Sequence, residues 1–115
     1  MWQRVVAWEY LQQQREFGFV LEAGDTCLEG FVLCLDGGLY AYHNTCPHRA
    51  VTLNWNPHQF LDGEQHFIQC AMHGALFNPR DGLCVHGPCL HQRLQALPVR
   101  LDAGEVQVWY TGTAV

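Results

Sequence analysis

Apolar and polar positions alternate along much of the chain with the period of two that is typical of β-strands. In the clearest alternation, Phe17, Phe19 and Leu21 alternate with Glu16, Gly18 and Glu22. A fully apolar run at 31–35 and a second run at 39–42 flank a glycine-rich turn. Two strand-like runs around such a turn predict a β-hairpin.

The remainder of the chain predicts more short strands and one long stretch of loops. Residues 43–66 are rich in Asn, Pro and His, which favours loops, and segment 5–11 fits a short helix as well as a strand. Further elements are expected as strands at 66–70, 75–77, 94–101 and 105–110, with turns at 78–82 and 102–104. Many short strands with regular turns predict a small all-β sandwich or barrel, without a helix longer than about three turns.

Length and composition indicate one globular domain, expected to span residues 1–115. Hydrophobic residues make up 49% and charged residues 15% of the 115 positions. A chain of this size buries roughly two-thirds of its unfolded surface and can form a hydrophobic core of its own.

The charge balance excludes some functions and favours others. Six basic residues, all arginine, and eleven acidic residues give a net charge of −5. This disfavours nucleic acid, which needs a basic surface. No apolar run approaches the ~20 residues of a membrane span, and the N-terminus does not resemble a signal peptide. We therefore expect a cytoplasmic protein, in which six cysteines and seven histidines point to metal before disulfides.

Two short motifs carry the chemistry: Cys46-Pro47-His48 and Cys70-Ala71-Met72-His73. Each pairs one thiolate with one imidazole near the end of a strand-like segment. Two neighbouring loops are therefore expected to hold one metal centre between them.

The pattern Cys-x-His followed by Cys-x-x-His resembles the Rieske iron–sulfur proteins, and in particular the small soluble Rieske-type ferredoxins. The similarity covers roughly residues 16–110 and is most specific in three stretches. They resemble the first cluster loop with its entering strand, the second cluster loop, and the exit strand with the start of the Pro-containing covering loop: 40–49, 70–77 and 81–88. The spacer between the motifs is longer than usual, with the extra length expected in the segment from Asn54 to Gln65.

The resemblance implies a Rieske-like antiparallel β-sandwich or barrel with a cluster-binding subdomain at about 44–89. It also implies one [2Fe–2S] cluster, with Cys46 and Cys70 on one iron and His48 and His73 on the other. Exchanging two thiolates for two neutral imidazoles removes negative charge, so the potential lies above that of a four-cysteine ferredoxin.

Zinc is the alternative for the same four side chains, because a Cys₂His₂ set also suits that ion. Zinc fingers, however, usually pair two cysteines in one motif and two histidines in the other. Here each motif carries one of each, which favours the iron–sulfur cluster.

Four positions that the resemblance puts near the cluster predict its reduction potential. High-potential relatives join the two loops by a disulfide, and Val51 and Met72 stand at the matching positions. The high-potential relatives also donate hydroxyl hydrogen bonds from a Ser and a Tyr to the cluster and to a ligating sulfur. This chain has Ala75 and Phe77 at those two positions. Without these contacts we expect a potential toward the low end of the roughly −150 to +300 mV range of Rieske centres.

The other cysteines are predicted to be structural. Cys27 and Cys34 lie in strand-like segments and are expected to be buried. Cys84 and Cys89 form either a disulfide or two packed thiols, and a reducing compartment favours the thiols.

The other histidines and the extra loop segment have a structural and a functional interpretation. We expect surface positions for the five histidines outside the motifs, with a contact near the cluster as the alternative for two of them, His43 and His86. In the longer spacer, Trp55 and Phe60 either form a docking surface or pack inward, and we favour packing.

The predicted function is one-electron transfer from a flavin reductase to an oxygenase or another redox enzyme. The alternative is a small relay subunit fixed within a larger, nitrite-reductase-type complex. The chain is not expected to be an enzyme itself, because related catalytic subunits bind a mononuclear iron on an additional domain. The sequence determines neither the redox partner nor the oligomeric state.

Overall fold

The computed structural model describes residues 1–23, 26–45, 53–54, 58–64, 66–71 and 74–110. Within them, one helix and nine strands follow each other along the chain. They are β1 (Trp2–Ala7), α1 (Trp8–Gln14), β2 (Glu16–Ala23), β3 (Thr26–Leu35), β4 (Gly38–His43), β5 (Ile68–Gln69), β6 (Leu76–Phe77), β7 (Cys84–His86), β8 (Val99–Asp102) and β9 (Glu105–Trp109).

The strands form three antiparallel sheets, each of three strands. The basal sheet has the order β1-β9-β8, the central sheet β2-β3-β4 and the small sheet β5-β6-β7. The small antiparallel all-β architecture predicted from the sequence is thereby confirmed.

Strand β3 has a hydrophobic core on each of its two faces. Phe31 and Leu33 point into one core, with the small sheet, whereas Val32 and Cys34 point into the other, with α1 and the basal sheet. Burial on both faces explains why 31–35 is continuously apolar rather than alternating. The central sheet therefore forms the middle layer of the molecule.

The predicted hairpin is formed by β3 and β4, and its turn lies at residues that tolerate positive φ. Asp36 and Gly37 both have positive φ, 51° and 78°, as a type I′ turn requires. The same geometry recurs at Ala103 and Gly104, with φ of 51° and 79°, between β8 and β9.

Several predicted elements differ in their bounds, such as the strand expected at 66–70, which is Ile68–Gln69. Two of the differences have a clear local cause. Segment 5–11 is neither all helix nor all strand, because β1 ends at Ala7 and α1 begins at Trp8. The strand expected at 94–101 begins only at Val99. Pro98 has no N–H to give to a ladder. The residues before it bond elsewhere: the Leu94 N–H donates to the Gly82 carbonyl and the Leu97 N–H to the Ala41 carbonyl, both at 2.9 Å.

Of the two cysteines predicted to be buried in strands, one is buried and one is exposed. Cys34 is buried as expected, and burial raises the pKa of its thiol although Arg15 nearby lowers it. The expectation for Cys27 is wrong, because this residue is exposed. It pairs with Glu22 next to the turn of the β2–β3 hairpin. On its face of β3, residues 27 and 29 are exposed and burial begins only at Phe31.

The end of the long spacer is fastened to strand β2. The Glu16 carboxylate accepts hydrogen bonds from the backbone N–H groups of Phe60 and of Leu61, the latter at 3.0 Å. Phe60 is buried and stacks on Phe31 with ring centroids 4.3 Å apart. Inward packing is thus confirmed for Phe60 and the docking interpretation is wrong for it, whereas Trp55 lies outside the described residues.

His58 is exposed as expected, but it also bonds to the chain. Its Nδ1 accepts a hydrogen bond of 3.0 Å from the Gly18 N–H, and its ring stacks on Phe17 at 4.5 Å. A donor at Gly18 requires an unprotonated Nδ1. The two contacts hold the start of segment 58–61 against β2.

We expect Glu16→Gln to lower the free energy of unfolding by about 1 kcal/mol, because hydrogen bonds to a neutral acceptor are weaker than those to a carboxylate. Urea denaturation of the variant measures the loss. Glu22→Gln, an exposed position on the same strand, is the matched control. Equal stability of both variants would mean that Glu16 does not fasten the spacer.

Candidate metal centre

One of the four predicted ligands, Cys70, lies within the described residues. Cys46, His48 and His73 lie outside them, so the four-ligand set stays a prediction. The structure does describe where each cluster loop begins and ends, and how the two loops are joined.

Asn44 closes the base of the first loop. It follows directly after β4 and is buried. Its Oδ1 accepts a hydrogen bond from the Leu53 N–H, and its Nδ2 donates to Asn54 Oδ1, both at 2.8 Å. Its backbone N–H donates to the Glu29 carbonyl at 2.9 Å, which fixes it to β3. Asn44 and Leu53, the described residues on either side of the first loop, are therefore held together.

The second loop connects β5 to β6, and hydrogen bonds join the described residues at its two ends. Cys70 directly follows β5 and is 1% exposed. Its N–H donates to the Ala75 carbonyl, and the Gly74 N–H donates to the Cys70 carbonyl, both at 2.9 Å. Gly74 has a φ of 69°, which glycine adopts without the strain of a side chain.

Leu53 joins the two loops. Its N–H is bonded to Asn44, as described, and its carbonyl accepts a hydrogen bond of 2.7 Å from the Ala71 N–H. Leu53 is itself fully buried. The bases of two loops that are far apart in sequence are therefore held side by side, as a shared metal centre requires.

A third segment, the covering loop at 87–92, packs on the second loop. Gly87 has a φ of 109°, and a Cβ at this position would lie 2.8 Å from the Ala75 Cα. Only glycine permits so close an approach. Ala75 is 1% exposed, so the covering loop shields the residues that follow His73.

The residues expected to tune the potential are buried. Ala75 and Phe77 are both inside the core on the side of the small sheet. Neither side chain carries a hydrogen-bond donor, and the other two tuning positions, Val51 and Met72, lie outside the described residues.

Two titratable groups at the end of β4 are shifted toward their neutral forms. Burial, with smaller contributions from Asp81 and Tyr40, raises the pKa of Tyr42 to about 12. Its hydroxyl donates to the Pro79 carbonyl at 2.6 Å. Burial lowers the pKa of His43. His43 is half-buried rather than a surface residue, and His86 is exposed.

The described residues fit a [2Fe–2S] cluster. A mixed thiolate and imidazole set spread over two loops needs those loops held together and shielded from water. Asn44 and Leu53 join the loops, the Cys70 side chain is buried, and the covering loop closes on Ala75. Over the described part of the chain, which holds only Cys70 of the predicted ligands, no group of three or more Cys, His, Asp or Glu side chains is placed to hold a metal.

Comparison with known proteins gives one family and one fold. The family model of the Rieske [2Fe-2S] domain matches residues 1–108. No curated protein matches the chain, and across the described residues no helix is long and apolar enough to cross a membrane.

Solved structures share this fold at low sequence identity. The ferredoxin of carbazole 1,9a-dioxygenase from Nocardioides aromaticivorans IC177 is 23% identical, with a TM-score of 0.69 over 94% of this chain and 96% of that one. A complex of reduced oxygenase and oxidized ferredoxin in carbazole 1,9a-dioxygenase contains a chain that is also 23% identical, with a TM-score of 0.69 over 93% of this chain and 100% of that one. The terminal oxygenase of carbazole 1,9a-dioxygenase from Novosphingobium sp. KA1 is 20% identical, with a TM-score of 0.75 over 98% of this chain and 30% of that one.

Proposed function

Because the chain belongs to the Rieske [2Fe–2S] family, we propose that it is a ferredoxin-type carrier that takes single electrons from a flavin reductase and delivers them to an oxygenase or another redox enzyme. Membership of this family implies one [2Fe–2S] cluster in the chain. The cluster supplies reversible one-electron chemistry when bound.

The observation that carries the proposal is the joining of the two cluster loops at Leu53 beside the buried Cys70. The ligands in this proposal are Cys46 and Cys70 for one iron and His48 and His73 for the other. The neighbouring chains add support, since those named as ferredoxins align over nearly their whole length.

The residues of the chain supply position and environment. Asn44 and Leu53 fix the loop bases, and Gly87 lets the covering loop pack on the second loop. Ala75 and Phe77 offer no hydrogen bond to the electron-rich sulfurs of the reduced state. The carrier is therefore proposed to work at a potential low among Rieske centres, in keeping with delivery of electrons to an oxygenase.

Electron paramagnetic resonance of the dithionite-reduced protein tests the centre. A mixed-ligand [2Fe–2S] signal is expected, and a colourless protein that contains zinc would refute the proposal. Mixing the oxidised protein with a reduced flavin reductase under argon tests the role as a carrier, through bleaching of the cluster absorbance. Tight co-purification with a large subunit, and no reduction by a free reductase, would instead indicate a fixed relay subunit.

We expect Ala75→Ser to raise the reduction potential by roughly 40 mV. The resemblance to the family puts residue 75 beside the cluster, where a hydroxyl would donate a hydrogen bond. That bond would be stronger in the reduced state, because the sulfurs then carry more negative charge. A difference of about 1 kcal/mol corresponds to that shift for one electron, since 59 mV is a tenfold change in equilibrium constant.

Protein-film voltammetry measures the potential of Ala75→Ser. Ala41→Ser is the matched control, because Ala41 is equally buried but faces the other core. A potential that stays the same or falls, at full cluster content, would show that residue 75 does not lie beside the cluster.

A further inference from the structure

Two cysteines outside the predicted ligand set lie in contact. Cys84 begins β7 and Cys89 lies in the covering loop, and their Sγ atoms are 2.9 Å apart. Each residue is 1% exposed. A disulfide has an S–S bond of about 2.05 Å, so the two sulfurs would have to approach each other by about 0.9 Å to form one.

The backbone already holds the pair in this arrangement. The Cys84 N–H donates to the Gln92 carbonyl at 2.8 Å, and the Gln92 N–H donates to the Cys89 carbonyl at 2.9 Å. Both cysteines are thus bonded to one residue, which limits how far they can separate. Groups fixed in this way react with each other at a high effective concentration.

Metal binding is a weaker explanation for the pair. His86 and His91 repeat the Cys-x-His spacing of the first cluster motif, yet both are exposed. In the described ranges no third Cys, His, Asp or Glu completes a metal-binding group with Cys84 and Cys89. The direct contact between the two sulfurs points instead to thiol–disulfide chemistry.

The covering loop gives reagents a route to the buried sulfurs. The two hydrogen bonds that close its turn are long: Leu90 N–H to the Gly87 carbonyl at 3.3 Å and His91 N–H to the Cys84 carbonyl at 3.2 Å. Leu90 is 49% exposed at the tip of the turn. Local opening of such a turn requires little free energy.

We propose that Cys84 and Cys89 are a redox-active pair that forms a reversible intramolecular disulfide by exchange with a low-molecular-weight disulfide such as oxidised glutathione. The thiolate of one cysteine attacks the small disulfide, whose S–S bond breaks as a mixed disulfide forms. The second thiolate then attacks the mixed disulfide. The two cysteines together lose two electrons and two protons. The small disulfide takes up these electrons and protons and is released as two thiols.

The bond would restrain the covering loop at the place where it packs on the second cluster loop. Gly87 lies between the two cysteines in sequence and packs directly on Ala75. Oxidation therefore ties the covering loop to β7 beside this contact. The proposal is independent of the electron-carrier role, because none of the predicted cluster ligands takes part.

The positions of the arginines make the experiment direct. The chain has no lysine, and Arg80 and Arg93 flank the pair, so trypsin releases residues 81–93 with Cys84 and Cys89 as its only cysteines. The holoprotein is incubated with oxidised glutathione under argon, alkylated in denaturant, digested and analysed by mass spectrometry. We expect this peptide to carry no alkyl group and to be lighter by two hydrogens than its unmodified dithiol form. Treatment with dithiothreitol before alkylation should restore both thiols.

The exposed Cys27 controls for the reagent, because it lies on another tryptic peptide and can take up a glutathione adduct. A doubly alkylated 81–93 peptide in a sample whose Cys27 carries glutathione would overturn the proposal. So would glutathione adducts on Cys84 and Cys89 without an internal bond. Cys89→Ser removes the second thiol, and Cys84 is then expected to stop at the mixed disulfide.

Discussion

Cys70→Ser is expected to abolish cluster binding. The Cys70 thiolate is proposed to ligate one iron, and it lies buried where the second loop begins. A serine hydroxyl is not deprotonated as a thiol is, so it supplies no equivalent anionic ligand. Iron and sulfide analysis after reconstitution should fall from about one cluster per chain to background.

Cys34→Ser is the matched control for this result. Cys34 is also buried, but it lies in the core on the opposite face of β3. Full cluster content in Cys34→Ser, together with none in Cys70→Ser, would assign the loss to ligation. If Cys70→Ser kept a normal spectrum, Cys70 would not be a ligand and the proposed ligand set would be wrong.

Asn44→Ala should destabilise the protein by about 3 kcal/mol and lower its cluster content. The change removes both side-chain hydrogen bonds and leaves the buried Leu53 N–H without its acceptor, which is the costly part. Leu53 also bonds to Ala71, so the base of the first loop loses its bond to the residue that holds the second. Thermal denaturation and iron content measure the two effects.

Asn54→Ala separates the two hydrogen bonds of Asn44. It removes the acceptor for Asn44 Nδ2 and keeps the bond from Leu53 N–H to Asn44 Oδ1. We expect the smaller loss for this variant. Equal losses in both variants would mean that the bond to Leu53 does not control how the loops are joined.

The fold was predictable where it rests on local patterns. The apolar run at 31–35 and the Asp36-Gly37 turn specify a hairpin within one short stretch, because the turn needs two residues that tolerate positive φ. The Cys-x-His and Cys-x-x-His motifs likewise carry their spacing in the sequence. Each of these signals can be recognised without knowing what lies elsewhere in the fold.

Single polar residues with distant partners could not be predicted in this way. Glu16 bonds to Phe60 and Leu61, more than forty positions away, and no periodicity marks it as different from Glu22. Asn44 similarly resembles any loop asparagine until Leu53 is placed beside it. The prediction for Cys27 failed for a related reason: Leu28 beside it is buried, but Cys27 lies on the opposite face of β3, and the strand pattern does not show where burial ends on each face.

The two faces of β3 have a consequence for the protein without its cluster. Among the described residues between 44 and 94, none contributes a side chain to the core shared by α1 and the basal sheet. It is filled by Leu11, Val32, Val106 and their neighbours, which need no help from either cluster loop. The apoprotein should therefore keep slow amide hydrogen exchange in β1 and β9 while protection is lost around β5 and β6, so that iron loss loosens one half of the molecule and leaves a folded half ready to take up a new cluster.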